Sequence, residues 1–293
     1  MTAPATTAVT SVRRVGGIEV LTWSALDAHD VDALVTARVG GVSSGPYATL
    51  NLGLTVGDDP AAVLENRRRV AAALGARPED FVFARQVHGA DVRVVTAADR
   101  GTGAFVLDDT VPAADALVTA DPGVILAILA ADCVPIVLYD PAARVLAGVH
   151  AGWRGTVART AAVAVAAMAR LGARPAGMIA GIGPAVAPDR YQVGADVTQA
   201  AERGLGSLAA TFIRPDGTGR WLFDVVAANR AILREAGIAD ARIHQTPLTT
   251  GAIPPNPGAA APADGYFFSD RVARPCGRLA LVARLRPAPG GAR

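Results

Sequence analysis

The chain of 293 residues contains no lysine, so all 28 of its basic side chains are arginines. A Schiff-base lysine and a Walker A lysine are therefore both excluded. Aromatic residues make up only 5% of the sequence, and the arginines form no long basic block. A nucleic-acid partner is not expected, because neither a stacking platform nor a dense phosphate-contacting stripe is visible. Cysteine occurs twice, at Cys133 and Cys276, which is too sparse for a disulfide framework of the small secreted type. Histidine occurs four times and never as an HxH pair, whereas multicopper oxidase centres need a large supply of imidazole ligands. GxGxxG is absent, which removes local support for a Rossmann nucleotide site. The longest apolar run, from Val124 to Tyr139, is broken by Asp132 and Pro135 and is too short to span a bilayer. No apolar stretch with a small-residue cleavage site follows the first residues, MTAPATTAVTSVRR, so a cytoplasmic protein without a membrane partner is expected.

What is present describes a globular chain. Hydrophobic residues make up 51% and the formal net charge is only +2, the reverse of the pattern that produces disorder. The expected organisation is a tail over 1–14, a domain over 15–286 and a second tail over 287–293. Within the domain, Ile18 to Trp23, Ala33 to Thr36, Phe81 to Ala84, Val92 to Val95, Met178 to Ile182 and Leu279 to Leu285 read as strands. Asp59 and Pro60 read as the cap and first position of a helix that stops at Gly75. A second helix is predicted from Thr156 to about Leu171, a third over Ala195 to Ala201, and a fourth from Asp224 to Gly237. Residues 38–59 are punctuated by Gly, Ser, Pro and Asn and read as a long shaped loop, and 204–219 reads as irregular. Strands alternate with helices while several strands are adjacent in sequence, so the fold class is α/β with mixed sheets. The hexapeptide DALVTA occurs at Asp32 to Ala37 and again at Asp115 to Ala120. Chance repetition in an Ala/Val-rich chain and a duplicated unit are both open from the residues alone.

The stretch from Val124 to Gly155 carries the scarce chemistry. Cys133 and His150 lie at the ends of strand patterns, and His88 follows a strand within Gln86-Val87-His88-Gly89. One thiolate and two imidazoles suit a catalytic zinc with an open fourth position, which would generate hydroxide near neutral pH. Cys133 with a histidine also suits a nucleophile pair, and a buried cysteine with two locally satisfied histidines suits no chemistry at all. Spacing leaves the three readings open. Arg154 and Arg67 are candidates for an anion, although Arg67 also fits the polar face of its helix with Glu65, Arg68 and Arg69. Asn51 fits a ligand contact or an Asx-turn, and Asp132 is expected to orient a histidine or accept a proton. Cys276, His29 and His244 read as local structural residues.

Taken together, GGVSSGPYATLNLGLTVGDDPAAVLENRRRV, QVHGADV, ADCVPIVLYDP, VLAGVHAGWRG, IGPAV and YQVG resemble the YfiH/laccase-domain family, over about residues 15 to 285. That family is also called the polyphenol oxidase or purine nucleoside phosphorylase family, and one branch is linked to peptidoglycan editing. The resemblance implies a single-domain α/β sandwich with internal duplication, and Zn²⁺ held by His88, Cys133 and His150. It implies phosphorolysis of adenosine, inosine, guanosine and methylthioadenosine, with adenosine deamination. A purine nucleoside and phosphate would be the small-molecule partners of a monomer or weak homo-oligomer, with Asn51, Arg67 and Arg154 on the substrate or phosphate. A cysteine-dependent amide hydrolase acting on peptidoglycan precursors is the alternative. The chain departs from the family at His244-Gln245-Thr246-Pro247, where a cysteine-containing segment is usual, and this departure falls on the substrate-facing rim.

Overall fold

A computed structural model describes residues 9–251 and 265–287. The chain lays down β1 (Thr10–Val15), β2 (Ile18–Trp23), β3 (Val31–Thr36), β4 (Phe81–Phe83), β5 (Val92–Val94), β6 (Ala116–Thr119), β7 (Ile125–Ala130), β8 (Val134–Asp140) and β9 (Val145–Ala151). There follow β10 (Ile179–Ile182), β11 (Gln192–Val193), β12 (Ile213–Pro215), β13 (Trp221–Phe223), β14 (Ile243–Gln245) and β15 (Leu279–Leu285). The helices are α1 (Ser24–Asp27), α2 (Pro60–Ala73), α3 (Trp153–Val157), α4 (Thr160–Arg170), α5 (Ala195–Leu205), α6 (Ala209–Phe212) and α7 (Val225–Glu235).

Two six-stranded mixed sheets stack face to face, in the orders β1-β2-β3-β15-β7-β4 and β14-β10-β8-β9-β6-β5. Their inner faces share one core in which Leu21, Val35, Leu126, Ile128 and Leu281 meet Val137, Tyr139 and Leu146. The alternate residues Val20, Leu34, Ile125 and Val282 turn outward against α2 and the 50–52 segment. On the second sheet Val134, Ile136 and Leu138 turn outward against α4, α5 and α7. This period of two along each strand is what lets fully apolar runs serve two cores at once. Gly181 belongs to the interior because a Cβ there would stand 2.8 Å from the Trp23 ring.

Several expectations need correction. Residues 10–14 are not tail: β1 pairs antiparallel with β2 along its whole length, while its exposed, arginine-bearing sequence has no apolar face to betray a strand. The helix expected from Thr156 is two helices, α3 and α4, separated at Arg159, whose φ of +60° breaks the ladder. Residues 204–219 hold α6 and β12 rather than irregular chain. The strand pattern over 124–139 is cut at its Asp132 interruption: β7 lies in the first sheet and β8 in the second. The 252–264 part of the predicted Pro/Ala/Gly loop lies outside the described residues.

The two DALVTA copies form β3 and β6, one in each large sheet. They are not equivalent strands, since β3 has antiparallel neighbours on both sides and β6 has parallel β5 on one. The α2 helix starts as expected, with the Asp59 side chain accepting from the Ala61 amide and Pro60 at its first position.

Candidate active site

Strand register assembles the site. Pro135 of β8 lies opposite His150 of β9, which brings Cys133, just before β8, to the end of β9. On the other flank Ala116 of β6 faces Val149, and the His150 amide donates to the Asp115 carbonyl at 2.7 Å. Cys133, His150 and Asp115 therefore stand at three adjacent strand ends. His88 arrives from the first sheet on the segment after β4. Gln86 docks that segment onto β7 by a reciprocal pair, its amide donating to the Leu129 carbonyl and accepting from the Leu129 amide, each at 2.8 Å. His88 itself adopts φ +61°.

The potential ligand atoms of His88, Cys133 and His150 all lie within 4.8 Å of one another. His150 is buried, Cys133 half-buried and His88 exposed, so the cluster opens to solvent on one side. Asp115, with no exposed surface, accepts from His150 Nδ1 at 2.8 Å. Its carboxylate also accepts from the amides of Val87 (3.2 Å), His88 (3.0 Å) and Gly89 (2.6 Å). Gly152 is required here, since a Cβ at that position would fall 2.8 Å from Cys133 Sγ and 3.2 Å from His88 Cδ2.

Burial by itself would raise the pKa of Cys133, but His150 and then His88 outweigh it and bring the thiol down to about 6. Burial would lower that of His150, and the Cys133 thiolate with Asp115 instead raises it to about 9. For Asp115 burial is again opposed, by His150 and by the Gly89 and Val87 amides, and the carboxyl sits below its ordinary value. The group gathers a sulfur and two histidine rings, the ring of His150 oriented by a carboxylate, the donor set and supporting bond of a tetrahedral N/S metal site. Among the described residues it is the one such cluster of three or more His, Cys, Asp or Glu side chains.

The cluster lies in a cavity of about 1440 Å³, which also receives Arg85, Trp153, Arg154 and Tyr191. Arg154 rests on the Trp153 ring, 4.3 Å from its centroid, and among the described residues neither its guanidinium nor that of Arg85 has a hydrogen-bond or ion-pair partner. Tyr191, stacked on Phe223 and covered by Arg271, forms part of the cavity wall.

Residues 32–286 match the family described as multi-copper polyphenol oxidoreductase laccase. The chain belongs to that family. Among its relatives, a purine nucleoside phosphorylase from Deinococcus radiodurans is 47% identical over 206 residues, 70% of this chain and 75% of the relative. An adenosine deaminase, RL5, from an unknown prokaryotic organism is 38% identical over 213 residues, 73% of this chain and 81% of its own. The crystal structure of YlmD from Geobacillus stearothermophilus superposes with a TM-score of 0.84 at 34% identity, covering 96% of this chain and all of that one. YfiH of Bacillus licheniformis gives the same TM-score at 33% identity, over 91% of this chain and 96% of its own. Among the described residues only one cluster of histidine and cysteine ligands forms, so the copper of the family's description finds no multinuclear site in them. All four histidines are described, His29 packs edge-on against Tyr139, and His244 sits on β14, away from the cluster.

Two of the residues expected at the ligand are engaged by the protein itself. Asn51 is fully buried and closes an Asx-turn, accepting from the Gly53 amide at 3.0 Å and from the Arg278 amide at 2.8 Å. Its amide donates to Asp58 and to the Gly53 carbonyl, which leaves nothing for a substrate. Arg67 borders the same cavity but is buried and gives its guanidinium to the carbonyls of Leu52, Gly103 and Ala104. Asp132 orients neither histidine; its carboxylate accepts from the hydroxyls of Thr250 and Ser269 and from the Arg271 amide. It thereby pins the wall beside Cys133. The unpaired Arg85 escaped the sequence reading, although it sits three residues before His88 and could have been found as a second cation near the QVHG motif.

Replacing Gly152 with alanine tests how tightly the site is packed. The new methyl displaces Cys133 or His88, and we expect turnover to fall at least about 100-fold, as for a misplacement of about 1 Å at reacting groups. Far-UV circular dichroism of the same variant is expected to remain that of the parent.

Proposed function

We propose that this chain is a purine nucleoside phosphorylase that also deaminates adenosine, with zinc held by His88, Cys133 and His150. The observation that carries the reading is the meeting of these three donors, with Asp115 behind His150, in a cavity that also holds two guanidiniums without a hydrogen-bond partner among the described residues. The names of the relatives supply the substrate class. Bound zinc would add Lewis acidity at the cavity floor and favour an activated water near neutral pH.

The chain's own residues perform the remaining work. In phosphorolysis a phosphate oxygen forms a bond to the ribose C1′ as the bond to the purine nitrogen breaks, and the departing base takes up a proton. Arg154 and Arg85 offset the phosphate charge and hold its oxygens by charge-assisted hydrogen bonds. Trp153 supports Arg154 from below. In deamination water adds at C6 and ammonia leaves, a reaction that needs no second anion. Arg154→Ala is therefore expected to raise KM for phosphate about 10- to 100-fold, the value of one or two lost charged hydrogen bonds. Adenosine deamination by the same variant is expected to change less than threefold.

The direct test is chromatography of adenosine incubated with metal-assayed protein, with and without phosphate. Zinc at about one per chain, with adenine and ribose 1-phosphate formed in phosphate and inosine without it, supports the proposal. Metal-loaded protein that leaves adenosine untouched refutes it.

One observation favours a second reading. Cys133, His150 and Asp115 follow one another as thiolate, imidazole and carboxylate, the order that activates a cysteine nucleophile. An amide hydrolase acting on peptidoglycan precursors would use that order, and it would survive a chelator that strips the protein of metal.

A further inference from the structure

The repeated hexapeptide places an aspartate at the head of two strands, with different surroundings. Asp32, the first copy, is a partner for arginine: its carboxylate takes Arg284 at 2.5 Å and Arg286 at 2.8 Å. Asp115, the second copy, meets no arginine. Its two oxygens are divided between four donors, two of them from the histidines of the cluster and two from the amides that flank His88. Oδ1 takes the His88 amide and His150 Nδ1, and Oδ2 takes the amides of Val87 and Gly89.

We infer that Asp115 is a positioning residue that sets both histidines with one carboxylate and so fixes the ion-holding geometry of His88, Cys133 and His150. The inference rests on the reading of those three side chains as one metal-holding set. An ionised carboxylate can only accept, so His150 Nδ1 carries the shared proton, and the opposite nitrogen, Nε2, is the one that an ion would take in exchange for its proton. The same carboxylate draws three successive amides around itself, which holds His88 at φ +61°, a conformation that few non-glycine residues keep without external support. His88 is exposed, belongs to the first-sheet side of the site and is connected to the second sheet at this point by Asp115. The His88 segment keeps other ties to the second-sheet side, from the Thr160 hydroxyl to the Gly89 carbonyl and from the Asp115 and Ala116 amides to the Asp91 carbonyl, so losing the carboxylate loosens the setting of the two histidines without releasing the segment. Asparagine cannot replace it, because its NH₂ group would be turned toward groups that are themselves donors.

The experiment compares Asp115→Asn with Asp32→Asn, the same change at the same place in the repeated hexapeptide. Zinc affinity is measured by competition with a chromophoric chelator, and hydrogen exchange is followed at the amides of Val87, His88 and Gly89 in metal-free protein. Asp115→Asn is expected to bind zinc 10- to 100-fold more weakly, the usual cost of losing a partner behind a ligand histidine, and to exchange those amides at least tenfold faster. Asp32→Asn is expected to lower Tm while leaving both readouts within twofold of the parent. Should Asp115→Asn not fold, Asp115→Glu, which keeps the charge but moves it by one methylene, is expected to shift both readouts in the same direction. Parental zinc affinity and parental amide exchange in a folded Asp115 variant overturn the inference. A parent protein that binds no zinc refutes the metal reading instead, and the amide exchange then decides the role of Asp115 without it.

Discussion

Cys133→Ala is expected to release the metal and to lower both phosphorolysis and deamination by about 10³-fold or more, the loss that follows removal of a group acting at the reacting atoms. The fold should persist, because the side chain is small, half-buried and outside the hydrophobic cores. The expectation follows from the donor count. Two imidazoles remain, one of them exposed on the segment after β4, and two neutral nitrogens do not replace a thiolate for zinc. The variant alone does not separate a metal ligand from a nucleophile, since both lose their sulfur. A chelator does, when applied to the unmodified protein. Loss of turnover on chelation with recovery on adding zinc identifies Cys133 as a ligand. Undiminished turnover in metal-free protein, with one alkylated cysteine after inhibition, identifies it as a nucleophile and overturns the zinc proposal. Cys276 does not confuse the labelling, because it is buried against Arg278 and burial pushes its thiol up.

Much of this site was legible because its residues are rare. Two cysteines and four histidines leave few ways to build a soft donor set, and the QVHG, ADC and HAGWRG motifs mark three of its members. What those motifs do physically was less visible. Gln86 is a backbone anchor for β7, Gly152 is a space beside Cys133, and neither role follows from residue type. Asp115 was hidden for a related reason. It stands at the head of a fully buried, mostly apolar strand in a repeated hexapeptide, and only the β6/β9 register shows that it faces His150. A lone carboxylate at the entry to an apolar strand is expensive to bury unless it is hydrogen-bonded, and that was the available signal. The sheets were legible where strands alternate or run apolar. The passage of the chain from one sheet to the other at Asp132 was not, although φ of +88° at that residue and the nearby Pro135 are what interrupt the apolar run. The short edge elements β1 and β12 expose most of their side chains and so carry no periodic apolar signal.

Arg67→Ala is expected to destabilise the fold by about 3–5 kcal/mol, the range for breaking a buried charged network, and to lower Tm by about 5–10 °C in a chain of this size. Helical periodicity puts Arg67 on α2 among Arg68 and Arg69, but the three arginines have different fates. Arg68 lies on the surface against Glu65, where a pair contributes little. Arg67 turns inward, is 2% exposed and lies 3.8 Å from the centroid of the Phe83 ring. Burial lowers its pKa to about 10, which still leaves it charged at neutral pH. The charge is spread over three backbone carbonyls at 2.7–3.1 Å, joining the 50–53 loop to Gly103 and Ala104. Alanine removes the donors and leaves those carbonyls without their protein partner, so both the lost bonds and the unpaired acceptors count against folding. Lysine does not rescue the site, because one ammonium cannot span the two loops that the guanidinium fork joins. Denaturant unfolding and phosphate kinetics on the same preparation separate this role from the one expected of Arg154. A large fall in stability with KM for phosphate changed less than threefold supports a structural arginine. The opposite pattern, intact stability with a raised KM, would return Arg67 to the phosphate.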